Sequence, residues 1–333
     1  MSGKIRMKDI AERIGVSIVS VSKAINGKDG VGDDVRSRIL EVAKELGYEI
    51  DSSDKKSHQK TIGVLVVDAF LTEKNAFYGN IHKSIVQISS TINVNVLLEI
   101  VNPEDEKNCI IPKIVQNKQI EGIIYLGIFA DSYIETLHEE KLPYVFLDFY
   151  KENKLVNSVL SDSYNGTEEL TKLLINKGHK NIRFVGTINL VSSITDRYLG
   201  YLKALVDNNL LESSNITPIP DRSSVGKGFR TFEVDPLPDA FVCSNDESAF
   251  YLMSYLKDKG VKIPEDVSIV GFDDSYFADL ASPQLTTFKV DIKAMAAIAL
   301  EQLVKEIDSE EYTIGKTTVY GEVIERDSVK AKK

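Results

Sequence analysis

A short stretch near the start of the chain concentrates hydroxyl, ammonium and amide side chains on one face of a predicted helix. Val21, Ala24 and Ile25 recur at helical spacing and predict its buried face. The opposite face offers a lysine that can donate to guanine, serines that can bond to bases or phosphates, and aliphatic groups that can touch thymine methyls. Ile18 and Val19 could instead pack against the segment that follows the head. The candidate DNA-contacting residues are Ser17, Ile18, Val19, Ser20, Ser22, Lys23 and Asn26.

Polar side chains also follow three apolar runs of strand length. Asp148 follows residues 144–147, and Asn245 and Asp273 come after two further runs in the second half of the chain. Ligands of open parallel sheets bind beyond the carboxyl ends of the strands, so these side chains are candidate ligand contacts. An asparagine donates and accepts hydrogen bonds, and a carboxylate accepts them from hydroxyl groups. The alternative is helix capping, and Asn245 or Asp246 could do only that.

The short motifs that mark many enzymes are missing from the sequence. No G-x-G-x-x-G follows the first predicted strand, and neither G-x-x-x-x-G-K-[ST] nor G-x-S-x-G occurs. The four histidines show no metal-ligand spacing, and we interpret Cys109 and Cys243 as reduced packing thiols. The sequence therefore predicts neither catalysis nor a metal or cofactor.

Two short helices joined by a tight turn must position the candidate DNA-contacting residues. Ile10, Ala11 and Ile14 predict the first helix at helical spacing. The turn is predicted at Gly15, because glycine can adopt the left-handed conformation, and Ser17 can cap the second helix. Together these signals predict a helix-turn-helix.

A third helix and a polar linker follow. Asp33 or Asp34 is expected to cap this helix, and Gly47 is expected to end it. Residues 51–60 are almost entirely polar, which is typical of a linker. The predicted apolar face of the third helix consists of Val35, Ile39, Leu40, Val42, Ala43 and Leu46.

From residue 61 the pattern changes to strands alternating with helices, which predicts parallel, doubly wound sheets. The alternation runs through twice. The sequence therefore predicts an α/β fold with a three-helix head and two doubly wound parallel-sheet lobes that enclose a cleft. The predicted strands are 62–67, 94–101, 122–126, 144–147, 157–160, 182–186, 216–219, 240–243 and 267–271, and predicted helices include 77–92, 165–177, 195–209 and 246–259.

Charge is unevenly distributed along the chain. The formal charge is −10, but residues 1–28 hold six cationic and two acidic side chains, and this net +4 leaves −14 for the remainder. A basic head on an acidic body is typical of a protein that touches phosphates only through its head. Because the N-terminus is charged and no apolar run has the length of a membrane span, we expect a cytoplasmic protein rather than an exported or membrane-bound one.

Motifs along nearly the whole chain resemble those of LacI/GalR-type (lactose and galactose repressor) transcription factors. The head carries Lys8-Asp9-Ile10-Ala11, Gly15-Val16-Ser17, Val21-Ser22-Lys23 and Ile25-Asn26-Gly27. The lobes carry Lys177-Gly178-His179, Arg197 with Gly200, Ser244-Asn245-Asp246 and the run from Pro264 to Asp274, followed by Pro283, Leu285, Thr286 and Thr287.

The resemblance implies a chain path. It gives a DNA-binding head of residues 1–48, a hinge of residues 49–60, and a periplasmic-binding-protein-like ligand-binding and dimerisation domain of residues 61–333. Within that domain, lobe one would comprise about 61–160 and 289–318, and lobe two about 161–288 and 319–333. Relatives commonly place a minor-groove leucine in the hinge, but this linker has no leucine, and Glu49-Ile50-Asp51 replaces a common Pro-Asn pair.

The resemblance also implies residues of the ligand site. Arg197 matches the family arginine whose fork of donors grips adjacent sugar hydroxyls. Phe77 and Tyr78 stand where relatives present aromatic rings, although aromatic residues at a helix start also pack in cores. The implied ligand-binding residues are Phe77, Tyr78, Asp148, Arg197, Asn245 and Asp273, with Asp274, Arg222 and Phe70 as weaker candidates.

Together these observations predict a homodimeric transcription repressor. Two heads would read a near-palindromic operator, and a small sugar or disaccharide between the lobes would control operator affinity. The alternatives are a regulator that responds to a nucleobase or a phosphorylated carrier protein, and a sugar-binding protein with a non-functional head.

Overall fold

The computed structural model describes residues 5–25, 30–48, 59–71, 76–151, 156–214, 216–224, 229, 232–310 and 313–332. The chain divides into two compact units, residues 1–59 and residues 60–333. No helix among the described residues combines the length and the apolar character needed to span a membrane.

The first unit is a three-helix domain. Its helices are α1 (Met7–Ile14), α2 (Ile18–Ile25) and α3 (Asp33–Glu45). Gly15 ends α1 in the left-handed conformation at φ 78°, and the Ser17 hydroxyl caps α2 by accepting the Ser20 N–H at 3.0 Å. The predicted helix-turn-helix is therefore confirmed. Its small core contains Ile10, Ala11, Val21, Ala24, Ile39 and Ala43.

Two details predicted for α3 are wrong. The residue at the N-cap position is Gly32, while Asp33 and Asp34 lie in the first turn. There, their carboxylates interact favourably with the positive end of the helix dipole. Val35 and Leu40 remain 40% and 37% exposed, because the stripe of α3 that meets the other helices consists of Ile39 and Ala43, one turn apart.

The second unit alternates strands and helices. Its strands are β1 (Lys60–Val67), β2 (Val94–Val101), β3 (Gly122–Leu126), β4 (Tyr144–Leu147), β5 (Ser158–Ser161), β6 (Ile182–Val185), β7 (Ala240–Cys243), β8 (Ser268–Asp273), β9 (Thr286–Lys289), β10 (Lys316–Val319) and β11 (Glu322–Ile324). Its helices are α4 (Ala76–Thr91), α5 (Pro103–Lys107), α6 (Lys113–Gln116), α7 (Asp131–His138), α8 (Ser163–Asn176), α9 (Ser192–Asp207), α10 (Asp246–Asp258), α11 (Tyr276–Leu280) and α12 (Ile292–Ile307).

The strands form two sheets, which define two lobes. Lobe one contains the parallel sheet with the order β10-β5-β4-β3-β1-β2, and lobe two contains the sheet β11-β9-β8-β7-β6. Among the strands named above, every pairing is parallel except that of β11 with β9. The chain crosses between the lobes after β5, after β9 and after β10, and α12 packs against α4 and strands β3 to β5 of lobe one. The α/β fold class with two parallel-sheet lobes is confirmed.

The strand predicted at residues 216–219 is not formed. Only Ile219 makes an isolated bridge, to Val185 at the edge of the second sheet. Pro218 and Pro220 have no N–H group to donate to a neighbouring strand, so a ladder cannot extend through this segment.

Candidate functional site

The candidate DNA-contacting surface lies on α2. Ile18 and Val19 are 49% and 64% exposed, whereas Ser20, Ser22 and Lys23 are half-buried. A large exposed aliphatic pair on such a small unit is available for contact with thymine methyls. Asn26, the last residue predicted for this surface, lies outside the described residues, as does most of the predicted hinge.

Hydroxyl groups mark the first turn of α2. The Ser17 Oγ accepts the Ser20 N–H, and the two hydroxyls share a further hydrogen bond of 2.9 Å. Ser17 therefore stabilises the start of α2 within the chain. The start of a helix also carries partial positive charge, so the same turn suits a nearby phosphate.

Lys23 lies towards the other end of α2. Its ammonium approaches Gly30, and a Cβ atom at that glycine would stand only 3.0 Å from the Lys23 Nζ. Gly30 has a φ of 96°, a left-handed conformation that also favours glycine. The backbone at this position thus leaves room for the lysine.

Four of the predicted ligand-binding residues come together between the two lobes. In lobe one, the Tyr78 hydroxyl donates to Asp148 Oδ2 at 2.8 Å. In lobe two, Arg197 Nη2 donates to Asp273 Oδ1 at 3.2 Å. Across the cleft, the charge of Asp148 raises the pKa of Asp273. We call these four residues the cleft cluster.

Strand ends place the two carboxylates. Asp148 directly follows β4, and Asp273 is the last residue of β8. Both adopt left-handed backbone conformations, with φ 66° and φ 108°. Non-glycine residues in this region are strained and persist where the surrounding structure holds them, which is typical of ligand sites.

Burial perturbs the ionisation of the cleft cluster. It raises the pKa of Asp148 to about 6, although the Tyr78 hydrogen bond and the Arg197 charge oppose the shift. Burial likewise raises the pKa of Asp273 to about 7; Arg197 opposes this shift and the Asp148 charge adds to it. The pKa of Tyr78 is raised by its burial and by the neighbouring carboxylates. The cluster therefore binds and releases protons near neutral pH.

Protein contacts hold Arg197 in place. Its side chain is only 5% exposed, and the guanidinium carbon lies 3.9 Å from the centre of the Phe272 ring. Besides the bond to Asp273, its Nε donates to Ser163 Oγ at 3.3 Å and its Nη1 donates to the Ser244 carbonyl. These three bonds use three of the five N–H donors of a guanidinium, so two N–H groups remain beyond them.

Asn245 performs the capping role that was the alternative at this position. Its Oδ1 accepts the Ser248 N–H at 2.8 Å and caps α10. The amide NH₂ group is not involved in this hydrogen bond. The next residue, Asp246, is fully buried, and its carboxylate accepts the Thr287 hydroxyl and the Ser275 N–H. Asp246 thus ties the start of α10 to the segment after β8, a role that sequence spacing could not indicate.

The aromatic candidates form a packed group. Phe70, Phe77 and Tyr78 are all buried, and the Tyr78 ring centre lies 4.7 Å from that of Phe70 and 5.4 Å from that of Phe77. Tyr78 contributes its hydroxyl group to the cleft cluster, and the two phenylalanine rings pack against it.

The weaker candidates Arg222 and Asp274 have partners of their own. Arg222 pairs with the buried Asp221 at 2.9 Å and stacks on Phe229. Asp221, which the sequence analysis did not single out, also accepts from Thr187 and Ser248. Asp274 accepts from Arg326 Nη2 at 2.7 Å.

The chain matches two family profiles. One, described as bacterial regulatory proteins of the lacI family, covers residues 6–50, and the other, a periplasmic binding protein-like domain, covers residues 171–329. The chain is 30% identical over 331 residues to the HTH-type transcriptional regulator RegA of Clostridium saccharobutylicum, with 97% of this chain and 98% of that protein covered. It is 27% identical over 310 residues to catabolite control protein A of Priestia megaterium, with 91% and 92% covered.

Solved structures share the fold. The lac repressor dimer bound to operator and the anti-inducer ONPF superposes with a TM-score of 0.66 at 20% identity, covering 99% of this chain and 100% of that one. A LacI family regulator from Enterococcus faecium with bound ribose gives a TM-score of 0.68 at 24% identity, covering 82% and 100%. The helix-turn-helix of the first unit and the two-lobed fold of the second thus occur in one chain whose relatives are transcription regulators.

Proposed function

The chain belongs to the LacI family of bacterial regulatory proteins, and we propose that it is a homodimeric repressor whose operator affinity is controlled by a small sugar. It is a DNA-binding transcription regulator, and the relatives described above are regulators rather than enzymes. The observation that carries the proposal is the cleft cluster, in which lobe one contributes the buried Asp148 with Tyr78 and lobe two contributes the half-buried Asp273 with Arg197.

Operator reading falls to α2. Lys23 donates to guanine, Ser17, Ser20 and Ser22 bond to phosphates or bases, and Ile18 and Val19 touch thymine methyls. Asn26 completes the set as predicted from sequence. Two copies related by a two-fold axis would present two such helices to a near-palindromic site. The lac repressor neighbour is a dimer bound to its operator, which supports a dimeric DNA-binding form. A protein that binds chromosomal DNA works where that DNA is, so we propose a cytoplasmic location.

The chemistry of the cleft suits an uncharged ligand rich in hydroxyl groups. Asp148 and Asp273 accept hydrogen bonds from hydroxyls, and the N–H groups of Arg197 that remain beyond its three protein bonds can donate to sugar oxygens. The amide of Asn245 can do both, and the Phe77–Tyr78 pair offers aromatic surface to a sugar ring. Structural neighbours with bound ribose and cellobiose support a mono- or disaccharide.

Control of operator affinity follows from the position of the cleft. A ligand that contacts both lobes stabilises one arrangement of them, and it changes operator affinity only if that arrangement binds DNA differently. By linkage, the operator must then change ligand affinity by the same factor.

A thermal-shift screen of mono- and disaccharides, repeated with operator DNA, tests this proposal. We expect one sugar to raise the unfolding midpoint and its affinity to change when the operator is present. Nucleobases belong in the same screen. If a nucleobase and no sugar raises the unfolding midpoint, the proposed ligand class is wrong. If a sugar binds with the same affinity with and without the operator, the proposed coupling is wrong.

A further inference from the structure

One hydrogen bond crosses the cleft directly between the lobes. The Tyr150 hydroxyl donates to Asp196 Oδ1 at 3.2 Å. Tyr150 lies two residues after Asp148 in lobe one, and Asp196 directly precedes Arg197 on α9 in lobe two. The bond therefore joins the two segments that carry the predicted ligand-binding residues Asp148 and Arg197.

Tyr150 is fixed within lobe one. The Lys316 ammonium lies 3.2 Å from the centre of its ring, a cation–π contact with β10. The next residue, Lys151, donates to the Phe129 carbonyl at 2.8 Å and pairs with Asp131 at 2.9 Å. The segment from Asp148 to Lys151 therefore moves with lobe one.

Helix α9 is equally fixed within lobe two. Ile194 is buried, the Tyr201 hydroxyl donates to the Ile182 carbonyl at 2.8 Å, and the Tyr198 hydroxyl donates to the Ile216 carbonyl at 2.8 Å. Because both ends of the Tyr150–Asp196 bond are anchored, a rotation of one lobe against the other must break it.

Resting on the proposed function of the cleft, we infer that Tyr150 and Asp196 are positioning residues, whose hydrogen bond holds the Asp148 segment and the Arg197 helix at the separation that the ligand requires. The bond stabilises the closed cleft before any ligand binds. A ligand then meets a site that is already assembled, so less of its binding free energy is spent on bringing the lobes together. A phenol donating to a carboxylate across a partly buried gap changes the ratio of closed to open cleft by about two- to ten-fold.

The test measures the separation of the lobes without ligand or operator, so its result is independent of the proposed function. One spin label is attached to Cys109 in lobe one and another to a cysteine that replaces the exposed Asp258 in lobe two. The other native cysteine, Cys243, is buried and is therefore not a labelling site. Double electron–electron resonance then gives the distribution of separations. Labelled protein is diluted with unlabelled protein so that a dimer holds at most one labelled copy.

Five variants form the comparison. Y150F removes only the donor and D196A removes only the acceptor, so both should increase the open population by about two- to ten-fold, and the double variant should match either single variant. D196N keeps an acceptor oxygen and should fall closer to the wild type. Y198F removes a hydroxyl from the same helix within one lobe and should leave the distribution unchanged.

The unfolding midpoint separates a positioning role from a purely structural one. We expect Y150F and Y198F to have similar midpoints but different distributions. Wild-type distributions in Y150F and D196A, or effects that add fully in the double variant, would overturn the inference.

Discussion

The two candidate surfaces of this protein are built in opposite ways. On α2, Ile18 and Val19 are largely exposed, and the neighbouring polar groups sit at the surface of a small helical unit. In the cleft, Tyr78, Asp148 and Arg197 are buried, and each is bonded to another functional group. The aliphatic side chains of α2 are exposed, whereas the cleft residues are bonded to one another.

This difference has consequences for mutation. A side chain that projects from a surface can be changed with little effect on folding, because it supports nothing else. A side chain that completes a buried ion pair cannot be changed without an effect on folding. Its removal leaves a partner that has lost both its solvation and its counter-charge. The predictions below test this contrast, beginning with the largest expected effect.

Arg197→Ala should have the largest effect. It leaves the half-buried Asp273 without its cation, and we expect a loss of about 3 kcal/mol from the free energy of unfolding of the lobes. It should also abolish the ligand response while operator binding by the head persists. Urea unfolding and operator titrations with ligand measure both. As a control, Lys289→Ala removes an exposed pair with Glu322 and should leave unfolding little changed. A normal response in Arg197→Ala would remove this residue from the site.

Lys23→Ala should weaken operator binding and leave folding intact. Loss of a lysine–guanine contact costs about 1–3 kcal/mol of binding free energy. A gel-shift titration measures the affinity, and thermal unfolding checks the fold. Lys8→Ala is a suitable control, because Lys8 pairs with Glu12 on the exposed face of α1 rather than on α2. Unchanged affinity in Lys23→Ala would reject the proposed base contact.

The cleft should make the stability of the lobes depend on pH. Because Asp148 has a pKa of about 6 in the folded protein and near 3.8 otherwise, the folded state binds more protons than the unfolded state between these values. Stability from this group is therefore full below about pH 4 and is lost as the pH rises through 6, by at most about 1.4 kcal/mol per pH unit.

Asp148→Asn isolates that contribution. The difference in unfolding free energy between the wild type and this variant should fall as the pH rises from 4.5 to 7.5, as measured by urea unfolding at about four pH values. A difference that stays constant, or that grows with pH, would show that Asp148 is ionised throughout this range.

Ser17→Ala should have the smallest effect of the series. It removes the cap of α2 and should lower the stability of the head by about 1 kcal/mol, as followed by thermal unfolding. Val19→Ala, at a position 64% exposed, should leave that stability unchanged. Equal stability losses in the two variants would contradict the view that α2 presents its surface independently of its fold.

Local patterns predicted most of the secondary structure. The Gly15 turn and the Ser17 cap depend on neighbouring residues alone. The buried strands are recognisable in the sequence as short apolar runs. The strand predicted at residues 216–219 does not form, because Pro218 and Pro220 cannot donate to a ladder. The prediction that Val35 and Leu40 lie on the buried face of α3 was wrong. A small domain has too little neighbouring surface to bury every apolar side chain of this helix.

By itself, the sequence determined the helix-turn-helix, the two-lobed α/β order and the polar residues at strand ends, because each depends on groups a few positions apart. Only the tertiary structure decided that Tyr78 bonds to Asp148, that Arg197 bonds to Asp273, and that Tyr150 reaches Asp196 across the cleft. These partners are 46 to 76 residues apart along the chain. Sheet topology brings them together, and burial then sets their charge states, which no local pattern encodes.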